Sequence, residues 1–258
     1  MPLTVEVRRM TRSPTTSTPR SARRARFLRQ ILDGMQEQIA AGIPLVVLES
    51  SCGAVFRDEL RNMLPNDEDA VRLSRQTYLL SEFLEPRAPE FHPPQLRRQA
   101  IVQGHCHHKA VFKLTDERKL LERLGLDAEF LNAGCCGMAG SFGFEAGDKY
   151  DVSIRAGERA LLPNVRSVLK ETIVLADGFS CREQIAQATD RRGLHLAQVI
   201  QLALREAQRS ASAYPERDAQ QCAQIRNGGS RSRSPVWASI DAFVTDRPPG
   251  RYSCVHRG

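Results

Sequence analysis

Seven cysteines stand at positions 52, 106, 135, 136, 181, 222 and 254. Five of them share one context. Each follows or approaches the carboxyl end of a short apolar run: VVLES-SCG, IVQG-HCHH, FLNA-GCCG and VLADGFS-C. If those runs are strands of an open α/β sheet, their carboxyl ends share one rim, which is where such sheets build their sites. Four separate segments can then bring Cys106, Cys135, Cys136 and Cys181 together, with Cys52 near them. Gly134, Gly137, Gly140 and Gly143 surround the adjacent pair. A loop so rich in glycine lets the backbone approach a bound group closely and donate N–H groups to it. Gly134, Gly137 and Gly140 are therefore candidate cofactor-binding positions.

Several chemistries suit such a set. An iron–sulfur cluster takes about four thiolates in a poorly solvated pocket. Structural zinc accepts four cysteines, or cysteine with histidine, and HCHH at 105–108 offers imidazoles. The adjacent Cys135 and Cys136 diverge, which suits a multi-iron cluster better than one tetrahedral ion. Disulfides are the weaker reading, because no secretion signal and no CxxC pair are visible. Buried cysteine also occurs as a plain small hydrophobe.

The neighbouring polar residues admit plainer and sharper roles. His105, His107 and His108 flank Cys106 and read mainly as polar loop residues, with zinc ligation or tuning of a cluster as the sharper roles. His195 reads as a capping or packing residue. Asp177 reads as a loop-orienting residue that works through backbone hydrogen bonds. Lys109 and Arg182 adjoin the cysteines and either offset thiolate charge or are simply solvated. GSFGFEAG (140–147) lacks the spacing of a nucleotide-binding loop.

The elements that must position these residues alternate in type. Phe27, Leu28, Ile31, Leu32, Met35 and Ile39 form a helical stripe that Gly42 stops. PLVVLE (44–49) reads as a buried strand, and 67–84 as one helix with Ala70, Leu73, Leu80 and Phe83 on its apolar face. Pro86 to Pro94 reads as a connector. AIVQGH (100–105) is a second strand. A helix follows from a capping Thr115 to Leu124, and Gly125 ends it. AEFLN (128–132) is a third strand, 151–162 a helix, TIVLA (172–176) a fourth strand, and 182–188 a helix. Leu196, Val199, Ile200, Ala203 and Leu204 give the last helix a strict apolar face. The expected fold class is α/β, a parallel-rich sheet covered by helices.

Composition sets the outer bounds. The chain has 258 residues, 41% of them hydrophobic, enough for one sizeable core. No run of 18 apolar residues appears, so no membrane-spanning helix is expected. The net charge of +7 is unevenly placed: +7 over residues 1–29, −4 over 30–208 and +4 over 209–258. The central body is mildly acidic, which argues against a nucleic-acid partner. Of the 37 basic residues 32 are Arg, which a GC-rich coding sequence would also produce. The first twenty residues lack the apolar stretch of a secretory signal and read as a disordered leader.

GHCHHK (104–109), GCCGMAGSFGFE (134–145), DVSIRAGERALLPNVR (151–166) and ADGFSCREQI (176–185) resemble the cysteine-rich CCG domain. More closely, they resemble the C-terminal portion of bacterial FAD-linked oxidases fused to an iron–sulfur module, relatives of D-lactate and glycolate dehydrogenases. ESSCGAVFRDELRNMLP (49–65) and LLSEFL (79–84) resemble the stretch between that family's two repeats.

The resemblance implies a Rossmann-like cysteine-rich domain and a 4Fe-4S cluster held by Cys106, Cys135, Cys136 and Cys181. It also implies electron transfer from a flavin to an acceptor within a flavin-dependent 2-hydroxy-acid oxidoreductase. FAD would reside only on a missing domain or partner, a flavin-containing dehydrogenase domain or subunit. A cytoplasmic setting is expected, peripheral at the inner membrane face where a membrane electron acceptor would be met. The expected organisation is a disordered basic leader (1–22), a remnant of a first CCG repeat (23–92), a second CCG repeat (93–208) and a disordered tail (209–258).

Two departures qualify that pattern. Gly178 stands where the family's CxxC has its first cysteine, which favours an ordinary four-ligand cluster over a five-cysteine one. The first repeat retains only Cys52. A C-terminal fragment, a truncated reading frame or a subunit served by separate polypeptides is therefore expected, not catalytic by itself. The alternative is a zinc-stabilised or metal-free interaction domain without redox activity.

Overall fold

The computed structural model describes residues 20–88, 90–207 and 214–216. Helix α1 (Arg20–Gly34) and the short α2 (Gln36–Ala40) lead into strand β1 (Leu45–Val47). Gly42 makes the intervening turn at φ +70°, the left-handed region that only glycine enters without cost. Helices α3 (Ser50–Ala54) and α4 (Leu60–Met63) are joined through a π-helical stretch, Val55–Glu59. Next come α5 (Glu68–Gln76), β2 (Thr77–Leu79) and α6 (Leu80–Arg87). Strand β1 pairs in parallel with β2, Val46 opposite Tyr78.

Thr77–Leu79 corrects the expectation of one helix over 67–84. The apolar spacing on either side suits a helix, but Thr77 and Tyr78 prefer the pleated conformation. Extending them gives β1 its only strand partner among the described residues. Thr77 is buried and its hydroxyl donates to Leu73 O at 2.7 Å, closing α5. Pro86, expected to open a connector, lies inside the last turn of α6.

The second sheet comprises β3 (Gln99–Val102), β4 (Asp127–Phe130) and β5 (Ile173–Leu175) in the order β4–β3–β5, all parallel. Between β3 and β4 run a π-helical turn, His108–Phe112, and α7 (Thr115–Arg123). Leu114 occupies the N-cap of α7 and makes no side-chain cap, so Thr115 is the first helical residue instead of the capping one. Gly125 ends this helix at φ +69°. Two helices, α8 (Asp148–Glu158) and α9 (Leu161–Ser167), replace the single helix expected over 151–162, with a break at Ala160. Helices α10 (Phe179–Ala188) and α11 (Leu196–Glu206) complete the body.

Helices cover both faces of this sheet. Ala100, Val102, Ile173 and Leu175 point to one side and pack with Leu120, Leu121 and Leu124 of α7 and Leu196, Val199 and Ala203 of α11. Ile101 and Val174 point to the other and pack with Leu161, Leu162, Val165, Ile185 and the two thiols of Cys136 and Cys181. The fold is thus α/β, with small parallel sheets covered by helices.

Glu216 lies within the segment expected to be a disordered tail, yet it is buried against Arg191 at 2.7 Å. Cys222 and Cys254 lie outside the described residues, as do Trp237 and most of the expected leader and tail.

Leu175 is fully buried at the centre of the first face. Leu175→Ala should cost about 2–5 kcal/mol through lost burial and an unfilled cavity. A urea unfolding curve checks this, as a lower midpoint at unchanged slope.

Candidate metal centre

The parallel strands deliver three loops to one edge. After β3, Gln103 is held by its N–H to Leu175 O (2.8 Å), and its side chain donates to Gly134 O (3.2 Å). This ties the His105–Cys106 loop to the glycine-rich loop that follows β4. Gly134, Gly137 and Gly140 all have positive φ, at +63°, +99° and +68°. Gly137 is also sterically compelled, since a Cβ there would stand 2.1 Å from Ser153 O. Ser153 is fixed in turn by Gln184 of α10, whose amide donates to its carbonyl at 3.0 Å.

Cys136 and Cys181 are 4% and 1% exposed, while Cys106 and Cys135 face outward. Cys136 and Cys181 are hydrogen-bonded to each other through their thiols. Cys106, Cys135 and Cys136 are thus near enough to Cys181 to act on its thiol electrostatically.

Backbone donors reinforce the cluster of sulfurs. Gly137 N–H donates to Cys135 Sγ at 3.3 Å, and the Met138 backbone hydrogen-bonds Cys136. Cys181 lies in the first turn of α10, where helix N–H groups favour a thiolate.

The thiol pair shares a proton unequally. The hydrogen bond from Cys181 is the main reason that Cys136 is lowered to about 7, against the opposing effect of burial. Cys181, the donor, is pushed well up by the same bond and by its burial. Burial raises Cys106, and the Cys135 charge adds to that.

Gly178 explains why one sulfur of the resembled pattern has no place here. A Cβ at this position would lie 2.3 Å from the His105 ring. That buried ring accepts the His107 N–H on Nδ1 (3.3 Å), and both its nitrogens lie 4.0 Å from Cys106 Sγ. Burial lowers the His105 pKa, which keeps the ring neutral. Arg182 donates to Ala176 O at 3.0 Å and also to Asp177 O, so it pins the loop backbone before α10.

Cys52 is exposed within α3, and burial and the Glu49 charge raise its pKa. Glu49 is one residue that sequence reasoning missed. One carboxylate oxygen receives Ser51 N–H and Oγ–H, and the other receives Phe179 N–H at 2.7 Å. Glu49 therefore links the β1 loop to the helix that carries Cys181. An N-capping pattern is visible at Glu49–Ser51, but nothing local points to residue 179.

His195 caps α11: its Nδ1 accepts Ala197 N–H at 3.0 Å, and Gln198 returns a bond to the His195 N–H. Asp177 Oδ1 accepts Leu196 N–H at 2.8 Å. His108 and Glu117 are buried together behind the cysteine loop. Burial drives the Glu117 carboxyl up and the His108 imidazole down.

No protein-family model matches the chain, and no solved structure matches it. It is 30% identical over 161 residues to D-2-hydroxyglutarate dehydrogenase of Pseudomonas putida, a match covering 62% of this chain and 15% of that protein. It is 25% identical over 179 residues to D-2-hydroxyglutarate dehydrogenase of Pantoea ananatis, covering 68% of this chain and 17% of the relative. It is 26% identical over 170 residues to a subunit of the anaerobic glycerol-3-phosphate dehydrogenase of Escherichia coli K12, covering 63% of this chain and 41% of that relative. The chain is thus distantly homologous to parts of these dehydrogenase proteins and spans less than half of each. No described helix is long and apolar enough to cross a membrane.

Two measurements probe the thiol arrangement. In the metal-free chain, ultraviolet thiolate absorbance should reveal one deprotonation at about pH 7. Cys181→Ala removes the donor, so that step should move up towards or past the ordinary cysteine value of about 8.5. Gly137→Ala should destabilise the chain by about 1–3 kcal/mol, because it meets both positive φ and the Ser153 carbonyl.

Proposed function

We propose that the chain carries an iron–sulfur electron-transfer module that serves a flavin-dependent 2-hydroxy-acid oxidoreductase. Cys106, Cys135, Cys136 and Cys181 would hold a [4Fe–4S] cluster. What supports this reading is that Cys106, Cys135, Cys136 and Cys181 stand on three strand-end loops at one edge of the sheet, with Cys136 and Cys181 buried and hydrogen-bonded to each other. The homology to parts of dehydrogenase proteins supports it independently.

The donor set fits such a group. Cys136 already favours the thiolate, the form that ligates iron. Gly137 and Met138 aim backbone hydrogen bonds at the sulfurs, and the first turn of α10 adds its dipole. These features stabilise added negative charge and so raise a reduction potential. When bound, the group supplies reversible one-electron transfer.

The residues divide the labour by exposure. Cys136 and Cys181 anchor the inner side against the apolar core, where water is excluded. Cys106 and Cys135 face outward, on the side where a redox partner can approach. In this reading the partner is a flavin-bearing dehydrogenase domain or subunit that oxidises the hydroxy acid, with a membrane electron acceptor as a peripheral contact. Residues 23–92 act as a remnant first repeat that buttresses the second, through Glu49 on Phe179 N–H and Leu48 O on His195.

Anaerobically purified chain should be brown and contain about four iron atoms per chain. Cys136→Ser and Cys181→Ser should each abolish most of the iron and colour. Cys52→Ser should retain both. A colourless zinc protein would refute the assignment, as would a brown one whose iron depends on Cys52 and survives loss of Cys181.

A further inference from the structure

We propose a second metal site, separate from the cysteines, in which His108, Glu117 and Asp177 hold one divalent transition-metal cation. The three side chains come from different elements: the π-helical turn after Cys106, the first turn of α7, and the loop between β5 and α10. One donor atom from each lies within 4.8 Å of the other two. The three residues are only 1%, 1% and 6% exposed.

Their polar atoms lack the partners that burial demands. His108 Nδ1 and Glu117 Oε2 approach to 3.3 Å, but the angle makes no hydrogen bond. Both carboxylate oxygens of Glu117 are buried without a hydrogen-bond partner, and the buried His108 ring has only a weak interaction with the Lys113 backbone. Buried polar groups are paired in the great majority of cases, so under-satisfied atoms on two adjacent buried side chains call for an occupant. Two carboxylates and a neutral imidazole around a dication sum to zero charge. A metal would therefore occupy one His108 nitrogen and the Glu117 carboxylate and offset the buried acid pair together.

The surroundings are built as outer support for a metal ligand. Asp177 is oriented by the Leu196 N–H at 2.8 Å. His195 lies 3.7 Å from Asp177, but its nitrogens are spent: Nδ1 accepts Ala197 N–H, so Nε2 carries the proton and donates to Leu48 O at 2.6 Å. It flanks the site and does not ligate. One imidazole and two carboxylates, with no thiolate, suit Zn²⁺, Fe²⁺, Mn²⁺ or Co²⁺. His108 is two residues from Cys106, and Asp177 four from Cys181. The ion would thus join the loops that present those two cysteines.

The test uses the full chain with Cys106, Cys135, Cys136 and Cys181 all changed to Ser and all metal removed by chelation. Zn²⁺ titrated by calorimetry should bind at one equivalent and raise Tm. Co²⁺ should give weak ligand-field bands with no thiolate charge-transfer absorbance. Glu117→Gln and Asp177→Asn should each weaken Zn²⁺ binding by roughly 10–100-fold. Failure of the four-serine chain to bind Zn²⁺, or undiminished binding by Glu117→Gln, would overturn the site. If the four-serine chain does not fold, transition metal per chain is compared between the unaltered protein and Glu117→Gln. A loss of about one equivalent at unchanged visible absorbance supports the site. Equal metal content refutes it. Because both arms are read apart from the thiolates, failure here leaves the electron-transfer reading standing, and the converse also holds.

Discussion

Strand β3 pairs in parallel with β4 on one side and β5 on the other, and the cysteine cluster depends on this pairing. Parallel pairing obliges every crossover to return along the back of the sheet, so all carboxyl ends open at the same edge. The His105–Cys106, Cys135–Cys136 and Cys181 segments are therefore neighbours despite long separations in sequence. A register shift of one residue would turn Val102 and Leu175 towards the wrong face. The packing of α7 and α11 against one face, and of α9 and α10 against the other, is what holds the loops in place.

The site edge is knitted by backbone hydrogen bonds more than by ion pairs. Gln103 joins the β3 and β4 loops, Arg182 holds the carbonyls of Ala176 and Asp177, and Gln184 holds Ser153 beneath Gly137. Glu49 and Leu48 extend this mesh to the first, two-stranded sheet through Phe179 and His195. Phe112 adds an apolar contact, packing with Ala54 and Leu79 close to Gly53. The β1–β2 sheet thus braces the edge that carries Cys181.

Two polar groupings draw on the loops of this edge. The sulfur grouping is served by N–H donors and a helix N-terminus, all of which favour negative charge. The His108–Glu117–Asp177 grouping holds acidic groups in a space without enough donors. Each is an unfavourable concentration of like character until something positive is added. That shared imbalance is why both are read as sites and not as ordinary core.

Much of this is determined by the sequence itself. Alternating strands and helices, the cysteines at strand ends and the glycines around Cys135 and Cys136 are legible because each signal is local. So is the capping role of His195. Residues 67–84 read as one helix because Ala70, Leu73, Leu80 and Phe83 fit a helical spacing across Thr77–Leu79. The extension of that segment depends on pairing with β1, a partner distant in the chain. The collision between His105 and any side chain at 178, the bond from Glu49 to Phe179 and the approach of Asp177 to His108 and Glu117 likewise join residues apart in the chain. Only the tertiary structure decided these, because burial and mutual distance are properties of the packed sheet and leave no periodic trace in the sequence.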